Sequence, residues 1–203
     1  MSDHDMSMMG GMARWAAGSE GKLKQAAMDL FLQRGFDDVT VGEIAQAVGV
    51  TERTFFRYFA DKREVLFVDQ AAYHAHFLDA LAASDEATPM ALVEDALRGG
   101  AEFFPEERRP LSRTRQKIID SSAGLSERES LKRASLTEAL TAALAARGIA
   151  PLRAALAAHS GSAVFHIAFA AWIAEGETRT FLELLDSALR ELKTLISSDT
   201  TRD

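Results

Sequence analysis

Apolar residues recur at helical spacing along most of this chain, and no segment alternates apolar and polar residues as a half-buried strand does. Alanine, leucine, glutamate and arginine dominate the periodic segments. The 203 residues include only four prolines. Three of these lie near predicted helix starts, where the missing N–H of proline costs little. The pattern therefore predicts an all-α fold.

Glycine, proline and serine mark the breaks between the predicted helices. The first helix is expected to run from a cap at about Ser19 to Arg34, with Gly35 ending it. Asp61 is the expected cap of a single longer helix that reaches Ala83. The predicted helices cover residues 19–34, 41–47, 52–58, 62–83, 89–103, 106–120, 126–147, 152–175 and 178–197.

Composition narrows the class of protein further. The chain has no cysteine, which excludes disulfides and thiolate metal sites. No run of about 18 consecutive apolar residues is present, and residues 1–12 lack the basic and apolar regions of a secretory signal. We therefore expect a cytoplasmic protein with no membrane partner. Residues 1–18, rich in Met, Ser, Asp and Gly, are predicted to form a flexible tail.

Residues 40–63 carry the most informative local pattern. Thr40 and Glu43 have the spacing of a capping box, in which each side chain bonds the other's backbone N–H. Gly49 follows the short helix and permits the positive φ that a tight corner requires. Thr51 then supplies a second cap. A helix, a glycine-containing turn and a second helix at this spacing predict a helix-turn-helix.

The second helix of this pair has two distinct faces. Phe55 and Phe59 lie four residues apart and are predicted to bury the helix against its neighbour. Arg53 and Arg57 lie four apart on the other face, with Phe56 between them. Arginine can bond guanine in a bidentate manner, and an aromatic ring can contact a thymine methyl. The formal net charge of the chain is −7, so only this local surface, and not overall charge, favours DNA binding.

The same stretch resembles the DNA-binding region of the TetR family of regulators over about residues 20–66. The residues that carry the resemblance are Ala26-Ala27-Met28-Asp29-Leu30-Phe31, Gly35-Phe36, Thr40-Val41, Ile44-Ala45, Gly49-Val50-Thr51, Thr54-Phe55-Phe56-Arg57-Tyr58-Phe59 and Lys62. The resemblance implies a three-helix DNA-binding domain at residues 19–66 and a ligand-sensing, dimerising helical bundle at residues 67–203.

The resemblance also assigns roles to side chains. It implies phosphate contacts from Thr40, Thr54, Tyr58 and Lys62. It implies a major-groove position for Glu52, Arg53, Phe56 and Arg57. Phe56 stands where the family often has tyrosine, so a phosphate contact through that hydroxyl is lost. Glu52 either accepts a hydrogen bond from a cytosine amino group or complements the dipole of its helix.

The remaining helices suggest a sensor and a dimer interface. TetR-type proteins hold a ligand cavity among their middle helices, and the candidate lining residues here are Phe103, Phe104, Phe165, His166, Phe169 and Trp172. The last helix has a wide apolar band that includes Leu185 and Leu192, so the last two helices are expected to form a homodimer. Together these features predict a repressor that an unknown small-molecule effector releases from a palindromic double-stranded DNA operator.

Alternatives to this interpretation remain at this stage. One is an enzyme with a helical pocket, although no paired catalytic residues or phosphate loop support it. Another is a DNA-binding regulator or adaptor without an effector. The five histidines lack carboxylates at ligand spacing, so no metal and no cofactor is expected. The basic run from Arg98 to Lys117 is either a solvated helix face or a site for an anionic effector.

Overall fold

The computed structural model describes residues 3–67 and 70–198, with side chains described for residues 18–67 and 70–197. Within these ranges the chain forms α-helices and two short 3-10 turns, and no strand, which confirms the all-α prediction. The helices are α1 (Asp3–Arg34), α2 (Val41–Ala47), α3 (Glu52–Tyr58), α4 (Gln70–Ala83), α5 (Pro89–Ala101), α6 (Arg109–Asp120), α7 (Ala123–Ala146), α8 (Pro151–Trp172) and α9 (Phe181–Ser198).

The chain divides into two compact units. The N-terminal unit comprises residues 3–67 together with Thr114–Ser126, and the C-terminal unit comprises the rest of the described residues. The predicted boundary between residues 66 and 67 did not anticipate that the end of α6 joins the N-terminal unit. Ile118 and Ile119 are buried in the same apolar cluster as Phe31, which accounts for this assignment.

Helix α1 is longer than predicted. It begins at Asp3, so Ser19 lies inside the helix and does not cap it, and residues 3–18 are helical where a flexible tail was expected. Methionine and alanine, which are frequent in this segment, favour helix, and no proline interrupts it. Further along α1, Leu23 and Phe31 are buried in the core of the N-terminal unit.

The single helix predicted over residues 62–83 is wrong. Lys62–Leu66 form a 3-10 turn, Phe67 has an extended backbone, and α4 begins at Gln70. Val65, Leu66 and Phe67 are all buried. Three consecutive residues cannot share one face of an α-helix, so burying all three requires the backbone to leave helical geometry. Asp61 caps the 3-10 turn by accepting two backbone N–H bonds.

The C-terminal unit is built around close helix contacts. A Cβ on Gly161 of α8 would lie 2.2 Å from the Val93 side chain of α5, so only glycine allows this approach. By length and composition α8 is apolar enough to cross a membrane. One row of its residues nevertheless lies in the packed core: Ala154, Ala157, Ala158, Gly161, Val164, Phe165, Ala168 and Trp172. That row identifies α8 as a central core helix of this unit.

Candidate DNA-binding surface and effector cavity

The cap of α2 has the predicted geometry and one additional partner. The Thr40 side chain accepts a bond from the backbone N–H of Glu43 at 3.3 Å, and the Glu43 carboxylate accepts the Thr40 N–H at 2.8 Å. Arg34 donates to the same carboxylate at 2.7 Å. The Thr40 backbone bond, followed by the Arg34 bond, lowers the pKa of Glu43 to about 2. The capping box is confirmed, and it fixes the first turn of α2.

The turn and the buried face of α3 also match the prediction. Gly49 has φ +71°, the left-handed conformation expected at the corner. Thr51 caps α3 by accepting the backbone N–H of Thr54 at 3.3 Å. Phe55 is fully buried and Phe59 nearly so, with their ring centroids 5.1 Å apart. These two rings fix which face of α3 remains outside.

The outer face of α3 presents the residues expected to face DNA. Arg53, Phe56 and Arg57 are exposed, and about half of the Phe56 surface is accessible. Arg57 donates to the Tyr58 hydroxyl at 2.9 Å, and its guanidinium lies 4.9 Å from the Tyr58 ring centroid. Thr54 lies on the same helix with its hydroxyl 3.1 Å from that of Thr51. The structure therefore brings these predicted contacts onto one short helix.

Lys62 has a role that the sequence did not reveal. Its ammonium donates to the carbonyl oxygens of Phe36, Asp37 and Val39 at 2.8, 3.3 and 2.9 Å. It also lies 4.3 Å from the centroid of the Phe36 ring. These three acceptors match the three N–H donors of the ammonium. Lys62 thus holds the loop before α2, and the predicted phosphate contact would have to compete with these bonds.

Glu52 is exposed at the first position of α3. Its carboxylate turns back toward α2: a Cβ on Gly42 would lie 2.6 Å from one of its oxygens. The absence of a side chain at residue 42 makes room for this arrangement.

The predicted effector residues separate into different places. The Phe104 ring packs against the rings of Phe165, Phe169 and Trp172, with centroids 5.2 to 6.0 Å apart. His166 does not join this cluster. It is exposed, and Arg133 lies 2.9 Å from its ring nitrogens, because residue 166 lies on the opposite side of α8 from the buried row.

Phe103 lies next to this cluster rather than inside it. Its ring contacts Tyr73 and His76, with centroids 5.3 and 5.5 Å away, and the Arg108 guanidinium lies 4.3 Å from its centroid. Most of the aromatic residues proposed for a pocket are therefore packed against other side chains.

A cavity of about 580 Å³ lies in the C-terminal unit beside this cluster. Of the six predicted effector residues, Phe104 alone lines it. Its walls are Ala80, Ala83, Ser84, Asp95, Arg98, Gly99, Ala101, Glu102, Phe104, Pro105, Glu106, Thr180, Phe181 and Leu182. The sequence reasoning missed the α5 residues among them. The i, i+3, i+4 spacing of Asp95, Arg98 and Gly99 is the signal that would have placed these three on one face.

Two arginines of the basic run, Arg109 and Arg113 on α6, are engaged with backbone carbonyl oxygens and do not form a free cationic patch. Arg109, which is buried, donates to the carbonyl oxygens of Glu177 and Arg179 and pairs with Glu106 at 2.6 Å. Arg113 donates to the carbonyl oxygens of residues 173 and 174 at 2.7 and 2.8 Å. Neither the solvated face nor the anionic effector site predicted for this run describes these two residues. They hold the loop that connects α8 and α9.

The outer surfaces of α8 and α9 carry large exposed apolar side chains. On α8 they are Leu152, Leu156 and Ile167, and on α9 they are Leu182, Leu195 and Ile196. Leu185 is fully buried and Leu192 is partly buried against the core. Of the two leucines that the sequence left as either interfacial or internal, Leu185 is thus a core residue, while Leu192 keeps part of its surface exposed. On α9, Leu195 and Ile196 follow Leu192 by three and four residues, so they continue the same apolar face toward the end of the helix, where they are exposed.

A capped helix-turn-helix with an exposed arginine-bearing helix, joined in one chain to a larger helical unit, defines a DNA-binding transcriptional regulator. Comparison with known proteins specifies the family. Residues 23–67 match the bacterial regulatory proteins of the tetR family, and residues 87–197 match the MftR C-terminal domain. The chain belongs to the TetR family.

Individual relatives agree with this assignment. The chain is 47% identical over 60 residues to the HTH-type transcriptional regulator TcmR of Streptomyces glaucescens, covering 30% of this chain and 26% of TcmR. It is 32% identical over 100 residues to MftR of Mycobacterium tuberculosis, named as a mycofactocin biosynthesis transcriptional regulator, covering 48% and 49%. The matches thus span about half or less of these relatives.

A solved TetR-family structure from Syntrophomonas wolfei has the same fold. Its TM-score is 0.60 at 19% identity, and the match covers 87% of this chain and 93% of that one. TcmR and MftR are both named as transcriptional regulators and not as enzymes.

Proposed function

We propose that this protein is a repressor that binds a palindromic operator as a homodimer and is released from it by a small-molecule effector. The observation that carries the proposal is the outer face of α3. Arg53, Phe56 and Arg57 are exposed there, while Phe55 and Phe59 hold the opposite face in the core. A recognition helix of this kind enters the major groove, and its arginines can bond guanine.

Thr40, Thr54 and Tyr58 are assigned to the DNA backbone in this proposal. All three lie on α2 or α3 or at their caps, and none is buried. Backbone contacts position the protein on the duplex, while base contacts select the sequence. These residues would therefore orient α3 without reading bases.

The homodimer is assigned to the exposed apolar faces of α8 and α9. The large apolar side chains exposed on these helices, among them Leu152, Leu156, Leu195 and Ile196, support this assignment, because large exposed apolar areas mark interaction surfaces. A charge at Leu195 should separate the dimer into monomers of 22.1 kDa without unfolding them. A charge at the fully buried Leu185 should unfold the chain instead. Light scattering combined with circular dichroism distinguishes the two results, and a wild-type monomer at micromolar concentration would contradict this assignment.

The effector is assigned to the cavity lined by α4, α5, the Glu102–Glu106 loop and the start of α9. Its lining combines apolar residues such as Phe104 and Phe181 with charged residues such as Arg98, a combination found in small-molecule sites. An effector can shift a regulator between conformations only by binding one of them more tightly. The effector must therefore favour a conformation that binds the operator poorly.

Genome-wide mapping of bound DNA in the source organism tests the proposal directly. It should recover a palindromic site, and purified protein should bind that site more tightly than a scrambled duplex. Small molecules related to the neighbouring genes would then be titrated against the complex. Equal affinity for the recovered and scrambled duplexes would contradict sequence-specific binding. A bound operator that no such compound releases would favour the alternative regulator without an effector.

A further inference from the structure

The recognition helix α3 carries a single carboxylate, that of Glu52, and it has no partner among the described residues. Glu52 is exposed, and it forms no hydrogen bond or ion pair with any of them. Its carboxylate lies beside the first turn of α2: a Cβ on Gly42 would sit 2.6 Å from its Oε1 and 3.8 Å from the Thr40 hydroxyl oxygen. The negative charge is thus located next to residues assigned to DNA backbone contact.

Few cations nearby can offset this charge. Three of those on the neighbouring segments are already engaged: Arg34 with Glu43 at 2.7 Å, Arg63 with Asp61 at 2.8 Å, and Lys62 with three carbonyl oxygens. On α3 itself the cations that remain for DNA are Arg53 and Arg57. The single negative charge of Glu52 therefore offsets half of the positive charge that Arg53 and Arg57 give to α3.

We infer that Glu52 limits the affinity of this protein for all DNA by repelling the phosphate backbone. The inference rests on the proposed reading of DNA by α3. A unit charge about 7 Å from a phosphate in water changes affinity roughly threefold, and further phosphates add to the effect.

Glu52→Gln removes the charge and keeps the shape of the side chain. It should tighten binding to the operator and to a scrambled duplex by similar factors of roughly three to ten at low salt. The gain should shrink as salt is raised, because screening weakens interactions between exposed charges. Glu138→Gln is the matched control, since Glu138 is an exposed carboxylate on α7 in the C-terminal unit. It should change neither affinity.

Gly42→Ala moves the carboxylate without removing its charge. The added methyl would clash only with the end of the flexible Glu52 side chain, which can swing outward, and would be in ordinary van der Waals contact with the Thr40 hydroxyl. This variant should weaken DNA binding when Glu52 is present and should have no effect in a Glu52→Gln background. That dependence separates displacement of the charge from any change in α2 itself.

Two results would overturn the inference. If Glu52→Gln weakened binding to the operator and left binding to the scrambled duplex unchanged, the carboxylate would be accepting a hydrogen bond from a base. Unchanged affinity for both duplexes at every salt concentration would leave Glu52 only a role at the start of α3. Arg53→Ala, measured alongside, tests the proposed function separately. If it leaves operator binding intact, the assignment of α3 fails, whatever Glu52 does.

Discussion

Helices α3 and α6 each carry two arginines four residues apart, yet the two pairs have opposite fates. Arg53 and Arg57 on α3 are exposed to solvent. Arg109 and Arg113 on α6 donate to four backbone carbonyl oxygens in the loop after α8. Helical spacing alone therefore does not distinguish arginines that remain exposed from arginines that are used to hold the backbone of a distant loop.

The largest expected effect is on folding, at Arg109. Arg109→Ala leaves two carbonyl oxygens without their donor and leaves the Glu106 carboxylate with the Trp172 indole N–H alone, so it should lower the free energy of unfolding by about 3 kcal/mol. Urea unfolding followed by circular dichroism measures this. Arg108→Ala, at the exposed neighbour, should cost less than about 1 kcal/mol. If Arg109→Ala and Arg108→Ala unfolded at the same urea concentration, Arg109 would not stabilise the fold, and the contrast with the exposed arginines of α3 would be lost.

The second effect is on DNA binding, at Arg53. Arg53→Ala should weaken binding to the operator by about 1–3 kcal/mol, because a bidentate contact to guanine is lost. Binding to scrambled DNA should change much less, and urea unfolding should not change. Titrations against both duplexes at several salt concentrations test this. If both affinities fell together, Arg57 would become the better candidate for reading bases.

The third prediction concerns Lys62, which lies in the N-terminal unit but, like Arg109 and Arg113, donates to backbone carbonyl oxygens. Lys62→Ala should lower the free energy of unfolding by about 1–2 kcal/mol, because three carbonyl oxygens lose their donor. The dependence of DNA affinity on salt should keep its slope. A slope reduced by roughly one unit would instead restore the phosphate contact implied by the family resemblance.

The smallest effect concerns the pH dependence of the α2 cap. The pKa of Glu43 is about 2 in the folded chain because of its bonds from Thr40 and Arg34, below the ordinary value of 4.5. A lowered folded pKa stabilises the fold above pH 4.5, and this contribution is lost as pH falls from about 4.5 to about 2. Glu43→Gln should flatten the thermal melting profile in that window and leave its shape above pH 6 unchanged. An identical acid-side profile would contradict the role of this carboxylate.

The accuracy of the sequence prediction follows the distance between partners along the chain. The bounds of α2 and α3, the Thr40 cap and the Gly49 turn were all predicted, and their interactions join residues three or four apart. Sequence also placed Arg53, Phe56 and Arg57 on the outer face, because two phenylalanines fix the inner one. The roles of these residues in DNA binding remain predictions.

Apart from the early start of α1, the interactions that the sequence did not predict join residues that are distant along the chain. The carbonyl partners of Lys62 lie 23 to 26 residues away, and those of Arg109 lie 68 to 70 residues away. The break at Phe67 and the separation of His166 from the aromatic cluster likewise depend on how the helices pack.

The sequence by itself determined the all-helical class, the helix-turn-helix and its exposed face, because local spacing controls caps, turns and helix faces. Tertiary structure alone decided which cations are already engaged, which leucines of α9 face solvent, and where a cavity remains. Those outcomes depend on contacts between segments far apart in the chain. Such contacts satisfy backbone carbonyl groups and exclude water in ways that periodicity along one helix cannot specify.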